Sequence, residues 1–417
     1  MELSPAEHQL LQAHHLALFE GCVIFDTQPP IDAQALARVE AHLAGPVPAG
    51  LLQLWQTCFG GRVGYDLEVV YDGHRHPFSF SELFYPDSDG YRDLWGWIEH
   101  ELDQAEEAAR EQGRPWSGKL DYLPFAGFEY LERLYVCVTP GPDHGAVIAW
   151  SRGLPPAWAG SLHQDSLARI ADDVGGLFRL LAYEEDPFDP QAEYSSASEL
   201  LEALDELEGA GEVGVALKAR LEALLRQRLL DWRPALADGS LAHQPRLRQL
   251  AMLDAAEQGD IPRLQTLRDA GCDLTETLRG RGASLESCLQ HGHLEAASWL
   301  LDQGVPVQAD TLLVGAAQIT PALAARLLGM GALSEPGAVL SAVAQDHMAS
   351  AEVMARPLLE ASPASASALR EALLERAEQQ RRDAKRIKAG KLFSNRSAVD
   401  YLAEAERIDT LRQRLFS

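Results

Sequence analysis

At 417 residues the chain is long enough for two or three domains, and its 46% apolar content is ordinary for packed cores. Its formal net charge of -26, from 36 Lys and Arg against 62 Asp and Glu, disfavours nucleic acid and anionic membranes as partners and favours basic proteins. Five cysteines, an odd number without a CxxC pair or a nearby histidine at metal-ligand spacing, point to reduced and mostly buried thiols. No run of about 18 apolar residues occurs, and residues 1–25 lack a basic leader, so the expected location is the cytoplasm.

The charge is uneven. Residues 1–185 carry 11 basic against 28 acidic (11 − 28 = −17), residues 186–246 carry 6 against 12 (−6), residues 247–365 carry 7 against 14 (−7), and residues 366–417 carry 12 against 8 (+4). Excess carboxylate keeps a chain soluble, and it also speeds encounter with a basic partner. The recurrence of the bias in three consecutive segments keeps the second role open.

In chain order, a leading helix is followed by a second one that Asp32 can cap, with Leu36, Val39 and Leu43 on one face and Pro46 after it. Residues 46–64, PVPAGLLQLWQTCFGGRVG, spell a third helix carrying Leu51, Leu52, Trp55 and Phe59, stopped by Gly60 and Gly61. Alternation then predicts a strand over 63–71, paired through Asp72 and Gly73 with a strand over 76–84. An aromatic and acidic excursion occupies 86–118, with Tyr91, Trp95, Trp97 and Trp116 around a helix over 98–112 that is acidic on most faces. Strands over 120–126, 133–139 and 146–151 follow, the last two joined by the PGPDHG turn at 140–145. Leu167, Ile170, Val174, Leu177, Phe178 and Leu181 predict a helix over 164–183 that covers one face of the antiparallel sheet.

On Pro48, Leu52, Trp55, the Gly60–Gly61 pair, LPFA at 123–126, RLYVCV at 133–138, Gly145, Val147, Trp150 and the closing helix, residues 31–183 resemble the SUKH superfamily of immunity proteins. A fungal cell-wall-synthesis regulator belongs to the same superfamily. The resemblance implies an α/β sheet module that commonly binds and neutralises toxins delivered by neighbouring bacteria, many of them nucleases. The insert 86–118 departs from a minimal member, so the identity of the partner does not carry over.

Asp186, Pro187, Asp189 and Pro190 mark a boundary, beyond which the chain reads as almost all helical, with leucine-periodic runs over 198–207 and 213–230 and a loop over 232–245. A repeat then appears: Gly292 follows Gly259 by 292 − 259 = 33 residues, and Gly304 follows Gly271 by 304 − 271 = 33. This is the ankyrin period. Residues 255–274 align without gaps to 288–307, both similar to the ankyrin pattern, while the usual threonine, proline, leucine, histidine opening is absent. A third unit ends near Gly331, 331 − 304 = 27 residues further on, and a fourth is placed around 352–362. Repeats cannot bury their faces alone, so 186–246 is assigned as linker and N-terminal cap, 247–365 as the repeats, and 366–417 as a C-terminal cap with helices over 368–389 and 398–415. The basic run Arg381, Arg382, Lys385, Arg386, Lys388, Lys391 is taken as a solvated helix end without an aromatic platform. The expected fold class is therefore an α+β domain over 1–185 followed by an all-α repeat domain.

No catalytic motif emerges. His100–Glu101 lacks a second histidine four residues on, and GxSxG, GxGxxG and phosphate-binding glycine loops are absent. His74, Arg75 and His76 read as turn residues, His291 and His293 as members of the repeat turn, where a histidine bonds between neighbouring repeats, and Asp172–Asp173 as solvated charge. Trp55, Trp150 and Trp299 read as core. Trp95 and Trp97, set among acids, suit either interface anchors or a covered core. The expected partner-binding residues are Asp87, Asp89, Tyr91, Asp93, Trp95, Trp97 and Glu99 on the insert, Glu129 and Glu132 near a strand turn, and Arg279 and Arg281 among the repeats. The expectation is a non-enzymatic immunity protein, without metal or cofactor, that occludes a basic toxin domain. The alternative is a regulatory scaffold binding an endogenous protein through the array.

Overall fold

In a computed structural model the chain divides into two compact units, Met1–Leu230 and Asp231–Ser417. The described residues are 2–71, 73–88, 93–128, 132–151, 167–189, 196–278 and 283–417.

The first unit opens with α1 (Pro5–Ala13), where Ser4 and Glu7 form a capping box, and a short hairpin of β1 (Ala17–Phe19) and β2 (Cys22–Ile24). Next come α2 (Ala33–Glu40), capped by Asp32, whose Oδ1 accepts from the Ala35 N–H at 2.7 Å, and α3 (Ala49–Thr57), entered through Pro48. The glycine pair after α3 has two reasons to be glycine. Both residues hold positive φ, 111° and 146°, and a Cβ on Gly60 would stand 2.5 Å from Tyr85 Cβ, while one on Gly61 would stand 2.8 Å from Ile24 Cγ2.

The expected strand over 63–71 is interrupted. Gly61–Arg62 forms β3 and Leu67–Tyr71 forms β4, with Gly64 between them so close to Ser196 that a Cβ would lie 2.6 Å from its carbonyl oxygen. β4 pairs with β5 (His74–Phe78) as a separate hairpin, so His74, Arg75 and His76 are strand residues rather than turn residues. Glu82–Leu83 forms β6. The helix α4 (Leu94–Glu111) precedes β7 (Tyr122–Phe128), β8 (Glu132–Cys137) and β9 (Val147–Trp150).

Leu167–Ala171 is not the start of a helix but strand β10, antiparallel to β9, and a helix runs only over Val174–Leu180. The break is local chemistry: Asp173 is the N-cap, accepting from the Gly176 N–H at 2.6 Å. The six-stranded sheet has the order β10-β9-β8-β7-β6-β3, every neighbour antiparallel.

Period-2 alternation divides this sheet between two clusters. Leu134, Val136, Val147 and Ala149 join the main core, while Tyr135, Ile148 and Leu167 form a second cluster with Tyr122 and Trp150. β8 is therefore buried along almost its whole length, on both faces.

The assignment of 186–246 as linker and cap of the repeats does not hold for its larger part. Helices Ser198–Asp205 and Glu212–Arg226 insert Leu200, Leu204, Leu217, Leu221 and Leu225 into the first unit's core, and the Tyr183 N–H donates to the Arg228 carbonyl while the Leu230 N–H donates to the Tyr183 carbonyl. Trp232 and Ala235 belong to the second unit's core, where 232–245 contains the short helix Arg233–Ala237 and a helical turn at Leu241–His243 instead of a plain loop.

The second unit is helical among its described residues. Pro245–Glu257 with Ile261–Asp269, and Ser284–Gln290 with Leu294–Asp302, are successive helix pairs in the same register. Gly259 and Gly292 take φ of 62° and 77°, Gly271 and Gly304 take 88° and 85°, so the 33-residue spacing repeats a backbone conformation. Thr311–Gly315 and Pro321–Gly329 follow, then Pro336–Ala344 and Met348–Ala361. The last two helices, Pro363–Lys388 and Ala398–Phe416, match their expected places closely. All five cysteines are free and buried, and burial pushes Cys22, Cys58 and Cys288 up to about 12, leaving them as thiols at neutral pH. No helix among the described residues is long and apolar enough to cross a membrane.

Candidate partner-binding site

The insert is organised by α4 and its cap. Asp93 Oδ2 accepts from the Gly96 N–H at 3.0 Å, and Oδ1 accepts from the N–H groups of Trp95 at 3.2 Å and Asp87 at 3.0 Å. Asp93 is thus spent on holding the helix start and the preceding chain. Asp87 is exposed with φ 58°.

Trp95 and Trp97 are not exposed anchors. They are only 8% and 7% exposed and belong to the main core, Trp95 under the Arg38 guanidinium (3.8 Å to the ring) and Trp97 stacked on Phe84 at 5.8 Å between centroids. Glu132, half-buried at the start of β8, accepts the Ser79 N–H. Of the insert residues expected to bind a partner, Asp87 and Glu99 remain exposed. Asp89, Tyr91, Glu129, Arg279 and Arg281 lie outside the described residues.

The buried side of α4 carries one charge. Glu101 is 0% exposed, and its Oε1 accepts from Arg133 Nη1 and from the Tyr135 hydroxyl, both at 2.8 Å. Arg133, 5% exposed, has its guanidinium carbon 4.3 Å from the Trp97 ring and 4.4 Å from the Trp150 ring, a cation held between two indoles. Burial pushes the Glu101 carboxyl above its usual range, and Arg133 and the Tyr135 hydroxyl pull it back. Burial pushes Tyr135 well up, and the Glu101 carboxylate adds to that. This group pins α4 to β8. Trp150, expected as core, is half-exposed at the margin of the second cluster, with its ring beside Arg133.

The opposite side of α4 is different. Glu99, Asp103, Glu106, Glu107 and Glu111 are all exposed, spaced so that 99, 103 and 106 or 107, then 111, lie along one ridge. Among the described residues only Glu107 has an ion-pair partner, Arg110 at 3.6 Å. Asp103, Glu106, Glu107 and Glu111 were legible as an acidic helix but not as a ridge, because only the docked helix shows which face is out.

Several polar groups elsewhere are engaged. Arg75 pairs with the nearly buried Glu68, Asp172 with Arg169, and His293 Nε2 bonds to the Glu257 carbonyl at 2.7 Å, linking one helix pair to the next as expected, whereas His291 bonds within its own helix to Ser287. Trp299 is half-exposed beside Arg268. In the second unit a cavity of about 320 Å³ is lined by Ala344, Gln345, Arg396, Asp400, Ala403 and Arg407. Its arginines are committed: Arg396 to the buried Glu404 at 2.6 Å, and Arg407 to the carbonyls of Val343 and Ala344 at 3.1 and 3.0 Å.

Compared with known proteins, the chain matches no family model and no curated protein.

Proposed function

We propose that the chain is a cytoplasmic immunity protein, a binder and not an enzyme, that captures a basic toxin domain on the acidic ridge of α4. The observation that carries this reading is the ridge itself: five exposed carboxylates on one side of a long helix whose other side is locked to the sheet. For a nuclease, such carboxylates would stand in for substrate phosphates. The SUKH-like order of helices, hairpins and glycine pair supports the assignment of the first unit. The left-handed glycines at 33-residue spacing and the His293–Glu257 bond support an ankyrin-like reading of the second, which adds a further protein-binding surface.

The test is co-purification of the full chain with the toxin encoded beside its gene, with and without Glu99→Lys, Asp103→Lys and Glu106→Lys together. The expected outcome is a complex that protects cells, and a triple variant whose association is slowed at least about ten-fold at low salt. A variant that binds as tightly as wild type removes the ridge from the proposal. No complex and no protection remove the immunity reading, and a partner recovered from cells lacking any toxin gene favours a regulatory scaffold instead.

A further inference from the structure

The connection between the last two helices reverses the character of the chain. From Lys385 to Val399 the sequence KRIKAGKLFSNRSAV carries Lys385, Arg386, Lys388, Lys391 and Arg396 and no acidic residue, in a protein of net charge -26. The structure brings these cations to one end of the helical hairpin and adds to them what the sequence did not reveal. Phe393 is 97% exposed in the connection and Val399 is 71% exposed in the first turn of the last helix.

The cations divide into two sets. Arg386 is tied to Asp383 at 3.2 Å and Arg396 to Glu404 at 2.6 Å. Lys385, Lys388 and Lys391 are exposed and form no ion pair among the described residues.

We propose that this tip is a peripheral contact for an anionic lipid surface, with Phe393 and Val399 entering the headgroup boundary and the three lysines meeting lipid phosphates. The side-chain types favour lipid over other anions. Nucleic acid is gripped by arginine forks and by successive bases stacked on aromatic faces, but here both arginines of the tip are bound to carboxylates and Phe393 is the one aromatic residue between Lys385 and Val399. Free lysines with long apolar stems beside projecting apolar groups are the combination that partitions into a charged bilayer interface. The far-reaching acidity of the chain does not forbid this, because at physiological ionic strength charges beyond roughly 8 Å are largely screened. No helix among the described residues is suited to spanning, so the contact is superficial and reversible.

The test is sedimentation of the full chain with phosphatidylcholine vesicles, with and without phosphatidylglycerol. Binding is expected only with the anionic lipid, and to weaken as salt is raised. Each lysine near such a surface is worth roughly five-fold in partitioning, so Lys385→Gln, Lys388→Gln and Lys391→Gln together should lower it on the order of 100-fold. Phe393→Ser should lower it roughly ten-fold. These side chains are exposed, so circular dichroism and melting should match wild type in both variants. Equal sedimentation with neutral and anionic vesicles, or variants that sediment like wild type, overturns the proposal. So does a chain that ignores vesicles but shifts single-stranded RNA, or captures polyglutamate, through the same residues. Neither variant touches α4, so failure here leaves the toxin-binding reading standing, and failure of that reading leaves this one.

Discussion

Replacing Arg133 with methionine tests how α4 is held. Methionine preserves an apolar stem between Trp97 and Trp150 but strands the Glu101 carboxylate, 0% exposed, with the Tyr135 hydroxyl as its remaining donor. Removing one partner of a buried pair costs about 3–5 kcal/mol. At about 2–4 °C per kcal/mol for a unit the size of Met1–Leu230, its melting should fall by roughly 6–20 °C.

The loss should depend on pH. The folded-state pKa of Glu101 already lies above its ordinary value of 4.5, and it rises further once Arg133 no longer opposes burial. A carboxyl that binds its proton more tightly when folded contributes stability below its unfolded pKa and loses it as pH rises through the folded value. Arg133→Met should therefore approach wild type below about pH 4 and fall furthest behind near pH 7. Urea unfolding followed by tryptophan fluorescence at both pH values is the assay. A loss under about 1 kcal/mol at pH 7, or one of equal size at both pH values, refutes the reasoning. Adding Glu101→Leu to Arg133→Met removes both charges and should restore most of the stability.

Leu221→Ala empties a fully buried site in the first unit's core and should cost about 2–5 kcal/mol there, leaving the second unit's unfolding unchanged; the reverse result would return 198–226 to the repeats. His293→Ala removes the bond to the Glu257 carbonyl and should lower the second unit's stability by about 1–2 kcal/mol in chemical denaturation. Gly259→Ala and Gly292→Ala both force a side chain into a left-handed conformation, at about 1–2 kcal/mol. At Gly259 the new Cβ also meets the His293 ring, 2.5 Å from Cγ, whereas at Gly292 it meets the movable end of Gln318. Gly259→Ala should melt at the lower temperature, and equal melting would show that the ring yields as easily as the amide.

What could be read from the sequence was the chemistry that acts locally. Asp32 as a cap, the alternation of Leu134 and Val136, and the glycine spacing all depend on near neighbours, and the elements built on them are present. Leu167, Ile170 and Val174 fit a helical period, yet Asp173 caps a helix that starts only at Val174, and the preceding residues pair with β9. The fourth helix pair carries no glycine signal at its turn because Asp346, with φ 65°, takes the left-handed conformation that glycine takes in the first two. Amphipathic helices over 198–226 announce a buried face but not whose core buries it. The same limit applies to Trp95 and Trp97. Their burial depends on Arg38, Phe84 and Arg133, which arrive from other elements.

A buried ion pair is a poor source of stability compared with apolar residues of the same volume, so its place under α4 calls for another reason. The rest of that buried side is Leu94, Trp95, Trp97, Ile98, Ala105, Ala108 and Ala109. The two indoles resist a slip of one turn by their shape, whereas the three alanines near the end of the helix would tolerate it. Glu101 does not tolerate it. A shift of four residues would bring Trp97 or Ala105 to the position of Glu101 and leave Arg133 buried without a counter-charge, at a cost of several kcal/mol. The pair, together with the two indoles, therefore fixes the height and rotation of α4, and with them the directions in which Glu99, Asp103, Glu106 and Glu111 point. A charged surface binds through preorganised geometry, since side chains already in position lose less freedom on contact. By this reasoning the double replacement of Glu101 and Arg133 is informative in a second way: stability returns, but the ridge is held by the indoles alone, so partner affinity should stay below wild type while the melting curve recovers.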